Sequence, residues 1–340
     1  MLALIMKTLL LIILFLSSIQ VNSQTIFEYE REINGKENYN FQEIEFENSD
    51  ENIKLSGTLI TPRTNFDKLF IIVAGSGKDT RFTHPKLTEK LLQNNIAVYR
   101  FDERGVGKSE GEYSRKVSTL KNDLKFCILQ LRKTQLIENK KIGIIGHSLG
   151  GMASIGILEF NPQIDYLIQM STPVNPGQSF KSKVSGIDIF QNTSKSIAEI
   201  ESLIDTFNYV IRTTDDFKKI RKQCFRISEN LNFPEFIPKS YINPQFVDMI
   251  KLDTEYYYKN SDKPLLFIIG EKDKQVDVNY GVKKLKEFDN KFITIKVLHD
   301  MDHYLTYNDG EWLNTKESKN REIDDIAVNE IIEWITRNNK

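Results

Sequence analysis

A serine flanked by glycines is the strongest candidate for chemistry in this sequence. In Gly146-His147-Ser148-Leu149-Gly150, an isoleucine-rich run ends at a glycine, the serine follows two residues later, and a stretch compatible with a helix comes next. This G-x-S-x-G spacing between a strand and a helix is typical of a sharp turn that exposes the serine hydroxyl. Ser148 is therefore predicted to be a nucleophile, and the N–H of Leu149 to point at a developing oxyanion.

A serine hydroxyl needs a base that removes its proton and an acid that orients this base. Asp273 follows a buried apolar stretch, and His303 follows the last predicted strand. The carboxyl ends of parallel strands lie along one edge of a sheet. We therefore expect Ser148, Asp273 and His303 to meet there, in the chain order that this motif requires.

Other residues compete for the roles of acid and base. Glu271 and Asp277 are alternative acids, but Asp273 stands where the loop can turn towards the histidine. His299 is the alternative base, and it lies so close to the strand that its reach is limited. Asp273 and His303 are the preferred pair.

The remaining two of the four histidines fit the role of base less well. His147 is adjacent to the serine and cannot easily fold back onto it. His84 precedes the serine in the chain and is expected near the mouth of the pocket. So few histidines also argue against a metal site built from them.

The second oxyanion donor is expected in the loop after the strand at residues 68–74. Gly75-Ser76-Gly77 follows this strand, and small residues let the backbone approach a substrate. We assign the N–H of Ser76 as the donor, with that of Gly77 as the alternative.

Strands and helices alternate around these residues. Period-two alternation and short apolar runs predict strands, and the 3.6-residue period predicts helices. The strands are predicted at residues 41–47, 53–60, 68–74, 96–101, 141–145, 164–170, 264–270 and 292–298, and helices at 85–94, 120–134, 279–288 and 323–337. This pattern predicts an α/β fold with a mostly parallel, doubly wound sheet, whose first two strands form an antiparallel hairpin at its edge.

The alternation stops over residues 174–260, which are charged, rich in aromatic residues and helical in pattern. A connection this long is expected to carry structure of its own. We interpret it as a helical cap, whose aromatic residues mostly form the core of the cap. The α/β core then comprises residues 24–173 and 261–340.

The two glycines at residues 102–109 follow a predicted strand, but they lack the spacing of a phosphate-binding loop. We interpret this stretch as a structural turn in which Asp102 and Arg104 pair with each other.

Composition excludes several classes of protein. With 40% hydrophobic and 27% charged residues, the chain of 340 residues has an ordinary globular composition. Its net charge of −1 gives no field that would attract nucleic acid. Cys127 and Cys224 have neither zinc-site nor redox-motif spacing; Cys127 is predicted to be buried, and a disulfide between the two cannot be deduced.

Residues 1–23 have the pattern of a secretory signal peptide. One lysine precedes a short apolar core, and small or apolar residues, Val21 and Ser23, stand before the predicted cleavage site. The core is short for a membrane span of about 20 residues. We therefore expect a secreted or periplasmic protein without stable membrane insertion; the alternative is an uncleaved signal anchor.

Together, these motifs resemble the α/β-hydrolase family over nearly all of the chain after the signal peptide. The matching stretches are Ala74-Gly75-Ser76-Gly77, the turn at residues 102–109, Gly146-His147-Ser148-Leu149-Gly150-Gly151, Gly270-x-x-Asp273 and Asp302-His303. Within the family, the chain is most similar to the serine aminopeptidase-like and small-carboxylesterase branch, which carries a helical cap at this position. It departs from many relatives in having Ala74-Gly75 in place of His-Gly.

The resemblance implies acyl transfer to water through an acyl-enzyme on Ser148. No metal or organic cofactor would be required, and the partner would be a small acyl ester. The alternatives are an exported aminopeptidase-like amide hydrolase, a thioesterase or an acyltransferase on the same fold. An aminopeptidase would need acidic residues in the cap, such as Glu199, Glu201 and Asp205, to hold the substrate amine. A binding protein without catalysis is the alternative from another class, and an intact triad argues against it.

Overall fold

The computed structural model describes residues 30–184, 194–307 and 322–338. Within them, the strands form one eight-stranded sheet in the order β1-β2-β4-β3-β5-β6-β7-β8. Their bounds are β1 Tyr39–Asn48, β2 Ile53–Pro62, β3 Lys68–Val73, β4 Ala97–Phe101, β5 Lys141–His147, β6 Tyr166–Met170, β7 Leu265–Gly270 and β8 Ile293–Leu298. The pairings of β1 with β2 and of β2 with β4 are antiparallel, and all the others are parallel. The predicted mostly parallel sheet with an antiparallel edge hairpin is confirmed.

The central strands are apolar on both faces because both faces are covered. Along β3, Leu69 and Ile71 belong to the hydrophobic core on one side of the sheet, and Phe70 and Ile72 to the core on the other. All of β3 and β7 is buried. This explains the continuous apolar runs in the sequence, which are characteristic of parallel strands between two helical layers.

Helices pack on both faces of the sheet. The helices outside the connection between β6 and β7 are α1 Pro85–Gln93, α2 Val117–Lys133, α3 Leu149–Gly156, α10 Val278–Phe288 and α11 Asp325–Arg337. Leucines of α2 and α10 lie in one core, whereas residues of α1 and α11 lie in the other. The 3.6-residue periodicity of these stretches therefore predicted the helices, with their ends misplaced by up to three residues.

The connection between β6 and β7 consists of helices with their own hydrophobic core. They are α4 Pro176–Val184, α5 Ile197–Thr213, α6 Phe217–Asn230, α7 Phe236–Tyr241, α8 Pro244–Lys251 and α9 Thr254–Asn260. Phe207, Phe233 and Tyr241 are buried in this core, whereas Tyr209 and Tyr256 are exposed. Most of the aromatic residues thus serve packing; that this helical insert acts as a cap stays a prediction.

The turn after β4 does not contain the expected pair between Asp102 and Arg104. Asp102 Oδ2 lies 2.8 Å from Nη2 of Arg81, and Arg104 Nη2 lies 2.6 Å from Oδ1 of Asp123. The expectation was wrong because it considered only neighbours in sequence. These four charged side chains are buried, and buried charges require partners that the fold brings close from other elements.

Two further expectations concern the cysteines and the membrane. Cys127 and Cys224 are both buried and free, so they form no disulfide with each other. Among the described residues, no helix is both long enough and apolar enough to cross a bilayer. The predicted signal peptide, residues 1–23, lies outside the described residues.

Candidate active site

Ser148 lies on the tight turn between β5 and α3. Its backbone φ of 53° and ψ of −113° fall outside the regions that non-glycine residues favour, and such conformations cost about 1–3 kcal/mol. Glycines make the turn possible, because a Cβ atom at Gly150 would come within 2.1 Å of the Ala74 carbonyl oxygen, and one at Gly146 within 2.5 Å of the Gly150 oxygen. The turn has the local geometry that the sequence motif predicted, and Leu149 begins the following helix.

The structure brings Asp273 and His303 together. Asp273 Oδ2 lies 2.8 Å from His303 Nδ1, and both side chains are almost completely buried. The other carboxylate oxygen of Asp273 accepts hydrogen bonds from the backbone N–H groups of Gln275 and Val276, at 2.7 and 3.0 Å. With the carboxylate of Asp273 held on both oxygens, a proton on Nδ1 of His303 points at Asp273, which leaves Nε2 of His303 free to accept a proton.

The loop that carries His303 is held on both sides of this residue. The Asp302 carboxylate accepts hydrogen bonds from the N–H groups of Tyr304 and Thr306, both at 2.9 Å. The His303 carbonyl oxygen lies 3.0 Å from Nε2 of His147, the residue before the serine. These bonds tie the loop that carries His303 to the turn that carries Ser148.

The alternative acids and the alternative base have other positions. His299 Nδ1 lies 2.6 Å from Oε2 of Glu271, and the His299 side chain is 82% exposed. Asp277 accepts a hydrogen bond from the N–H of Tyr280 and thereby caps α10. The structure therefore does not bring Glu271, Asp277 or His299 to the Asp273–His303 pair.

A cavity of about 320 Å³ lies beside Ser148. Its walls come from the loop after β3, the β5–α3 turn, the loop after β8 and the start of α1. The lining residues include Ser76, Gly77, Asp79, His84, Arg115, His147, Ser148, His303, Tyr304 and Glu322. Ser148 and His303 thus face one space large enough for a small substrate. His84 lies in this cavity, as expected.

The loop of the predicted oxyanion donor is held by a tyrosine that sequence reasoning missed. Tyr113 Oη donates to the carbonyl oxygens of Ser76 and Gly77, at 2.7 and 2.5 Å. A trans peptide places its N–H opposite its C=O, so the bond to Ser76 fixes the direction of the Gly77 N–H. Burial, reinforced by the charge of Glu103, raises the pKa of Tyr113 to about 12 and keeps this donor protonated. Ser76 and Leu149 as oxyanion donors stay a prediction.

His147 packs against two other histidine rings. The ring centroid of His147 lies 5.1 Å from that of His303 and 5.2 Å from that of His84. Burial, followed by the positive charge of Arg100, lowers the pKa of His84 to about 4. His84 is therefore neutral near pH 7 and adds no positive charge beside His147.

One group of described side chains has the spacing of a metal site. Ligand atoms of Glu271, His299 and Asp300 lie within 4.8 Å of one another on the surface. Lys272 Nζ already binds Asp300 Oδ1 at 2.7 Å, and none of these residues lines the cavity beside Ser148. Catalysis without a cofactor stays a prediction.

No sequence pattern indicates the contacts that Tyr113 and His147 make in the fold. Tyr113 stands in an irregular segment 37 residues from Ser76, and only the fold shows that its hydroxyl reaches this loop. His147 is adjacent to Ser148 in sequence, and only the fold shows that its Nε2 lies 3.0 Å from the carbonyl oxygen of His303.

Comparison with known proteins places this chain in a family. Residues 64–233, half of the 340-residue chain, match the family described as serine aminopeptidase, S33. A comparison with curated proteins gives no significant match.

Among solved structures, an esterase from Pyrococcus furiosus is similar with a TM-score of 0.56 and 21% identity, over 88% of this chain and 91% of that one. Dienelactone hydrolase from Anabaena variabilis has a TM-score of 0.52 and 11% identity, over 88% and 96% of the two chains. The α/β hydrolase GrgF from Penicillium gives a TM-score of 0.52 and 14% identity, over 88% and 98%. Because these identities are low, the structural similarity shows that the proteins share a fold.

Proposed function

The chain belongs to the serine aminopeptidase family S33 of α/β hydrolases, and from this premise we propose that it cleaves carboxylic esters through Ser148. The observation that carries the proposal is the buried Asp273–His303 pair, which opens onto the same cavity as the strained serine. In such an arrangement the base, the nucleophile and the substrate share one cavity, and the acid–base pair is shielded from solvent. This setting strengthens each electrostatic contact.

The first half of the proposed reaction forms the acyl-enzyme. Ser148 Oγ attacks the ester carbonyl carbon while His303 Nε2 takes the serine proton. The carbonyl electron pair moves onto oxygen, where the N–H groups of Leu149 and Ser76 stabilise the charge. The bond from carbon to the alcohol oxygen then breaks, and His303 returns its proton to the leaving alcohol. Asp273 orients His303 and stabilises its charged form throughout.

The second half releases the acid. A water molecule attacks the acyl carbon and gives a proton to His303. The bond to Ser148 breaks, and the serine recovers the proton. No group outside the protein and water is needed to balance these steps.

Three acidic residues of the helical insert do not line the cavity beside Ser148. Glu199 accepts a hydrogen bond from the N–H of Ser196 at the start of α5, and Asp205 pairs with Lys181 at 2.7 Å. Neither these acids nor Glu201 line the cavity beside Ser148. The insert acids expected to hold a substrate amine therefore do not line this cavity. This weakens the aminopeptidase alternative for these three residues only, because Asp79 and Glu322 do line it.

The cellular setting is part of the proposal. We propose an exported enzyme that acts on small acyl esters and neither binds nucleic acid nor inserts stably in a membrane. This rests on the signal-peptide pattern of residues 1–23 and on the net charge of −1.

Hydrolysis of a p-nitrophenyl acyl series tests the proposed activity, with Ser148→Ala as the control. We expect turnover that is lost in Ser148→Ala, with a preference for short acyl chains that the cavity can hold. Turnover of aminoacyl amides without turnover of esters would replace the proposal by the aminopeptidase alternative. A folded protein inactive on both would contradict it.

A further inference from the structure

A second cavity lies in the helical insert, between α6 and the segment around α7. It measures about 920 Å³ and is lined by cationic and aromatic side chains and one serine, among them Arg221, Phe225 and Ser228. It shares no lining residue with the cavity beside Ser148. We call it the α6 groove. Its size falls at the upper end of the range of about 300–1,000 Å³ found for small-molecule sites.

Four exposed cationic side chains without ion-pair partners among the described residues line this groove. Lys218, Arg221, Lys222 and Arg226 line it and are exposed, and none of the four forms an ion pair with any of the described residues. Two lining carboxylates, of Glu229 and Glu235, offset part of this charge without pairing with it. The local excess of cations favours an anionic ligand.

Aromatic side chains form the apolar part of the groove. Phe217, Phe225 and Phe233 all line it. The Arg221 guanidinium lies over the Phe225 ring, 4.7 Å from its centroid, so its N–H groups remain able to bind a second partner. Charge and apolar surface are thus adjacent, as in sites for amphiphilic molecules.

Ser228 supplies an independent sign of a ligand. Its side chain is 1% exposed, yet its Oγ forms no hydrogen bond within the described part of the chain. A buried hydroxyl without a partner is destabilising, because it has lost its hydrogen bonds to water. Arg221, Phe225 and Ser228 follow at i, i+4 and i+7 on one stripe of α6. Arg221 and Ser228 both line the groove, so a ligand with a polar head in the groove can approach both groups.

We propose that the α6 groove binds an anionic amphiphile with a single acyl chain and a carboxylate head. The chain packs against the three phenylalanines, and the head binds Arg221 and accepts a hydrogen bond from Ser228. Lys222 and Arg226 add attraction from the rim. A flat membrane surface would contact the exposed cations without reaching the buried hydroxyl, which favours a single molecule in the groove. This proposal does not depend on the proposed ester hydrolysis.

Calorimetric titration of the full-length protein with dodecanoate, below its micelle concentration, tests the proposal. Arg221→Gln and Ser228→Ala are the test variants. Lys219→Gln is the matched control, because it removes an exposed charge from the same helix outside the groove. We expect Arg221→Gln to weaken binding by about tenfold or more, and Ser228→Ala by a few-fold, as for lost charged and neutral hydrogen bonds. Lys219→Gln is expected to bind as the wild type does.

Three outcomes would overturn the proposal. The first is that dodecanoate does not bind, or that it binds equally well to Arg221→Gln. Equal binding would place the ligand at another site, for example beside Ser148. The second is equal binding of dodecyltrimethylammonium, which would show apolar adsorption without selection for the anion. The third is binding to anionic vesicles without binding to free dodecanoate, which would make this a membrane-facing surface. Thermal unfolding of each variant checks its folding; Ser228→Ala should remain folded, since it removes an unpartnered hydroxyl.

Discussion

Two histidine–carboxylate pairs stand side by side in the loops after β7 and β8. Glu271 and Asp273 come from the first loop, and His299 and His303 from the second. The distances are similar, 2.6 Å for Glu271–His299 and 2.8 Å for Asp273–His303. The surroundings differ, because the first pair is exposed and the second is almost completely buried beside Ser148.

The comparison shows that the distance between an acid and a histidine does not by itself define a catalytic pair. An exposed pair is worth at most about 1 kcal/mol, since water competes for both partners. Asp273 is instead fixed by two backbone N–H groups, and the His303 loop by Asp302 and His147. Burial and these supporting bonds hold the second pair in one geometry, which is what proton transfer requires.

The largest expected difference between the two pairs lies in their bases. His303→Ala is expected to lower kcat by a factor on the order of 10⁶, as removal of the base does in other serine hydrolases. His299→Ala should stay within about twofold of the wild type, because no described contact links it to the cavity. Ester hydrolysis by the two purified variants measures this. A large loss in His299→Ala with little loss in His303→Ala would reverse the assignment.

The acids should differ in the same direction. Asp273→Asn keeps the shape of the side chain but favours the wrong tautomer of His303, and we expect kcat to fall by about 10⁴. Glu271→Gln is the matched change in the exposed pair and should leave kcat nearly unchanged. Steady-state kinetics on a single ester compare the two. Equal rates in both variants would contradict the role of Asp273.

A smaller effect is expected from the bond that supports the buried pair. His147→Phe retains a ring beside His303 but loses the contact of Nε2 with the His303 carbonyl oxygen. We expect kcat to fall by about 10- to 100-fold with KM little changed, since slight misplacement of a base is costly. His147→Gln, which retains an N–H donor, should recover part of the rate. A change confined to KM would indicate a substrate contact instead of a positioning role.

The smallest expected effect concerns stability at acid pH. Burial lowers the pKa of His84 to about 4 in the folded state, so the unfolded chain takes up this proton first as the pH falls below about 6.5. The wild type therefore loses stability between about pH 6.5 and about pH 4, where His84→Gln has no such proton uptake. The free energy of unfolding of His84→Gln minus that of the wild type should therefore be about 1–2 kcal/mol more favourable to the variant at pH 5 than at pH 7.5. Urea unfolding at both pH values measures the free energy of unfolding of the two proteins. A difference that does not change with pH would contradict a neutral His84 in the folded protein.

Much of the fold could be predicted because its signals are local. The apolar run of β5 followed by Gly146 and Ser148 predicts a strand and its turn from a short window. Pro85 marks the first residue of α1, as proline often does at helix starts. The order of Ser148, Asp273 and His303 along the chain could likewise be read from strand ends.

The contacts that support the site could not be predicted, because they join residues distant in sequence. Tyr113 reaches the carbonyl oxygen of Ser76. Asp102 pairs with Arg81, 21 residues away, and not with Arg104 as expected. No local pattern encodes such pairs. They follow from which buried charges and hydroxyls the finished fold brings together.

Labelling of Ser148 by a fluorophosphonate tests the central claim most directly. The rate of labelling would be measured in the wild type, Asp273→Asn and Glu271→Gln, with the modified peptide identified by mass spectrometry. We predict fast labelling of Ser148 alone in the wild type and in Glu271→Gln, and slow labelling in Asp273→Asn. A folded wild type that leaves Ser148 unmodified, or equal rates in all three proteins, would contradict activation of this serine by the buried pair.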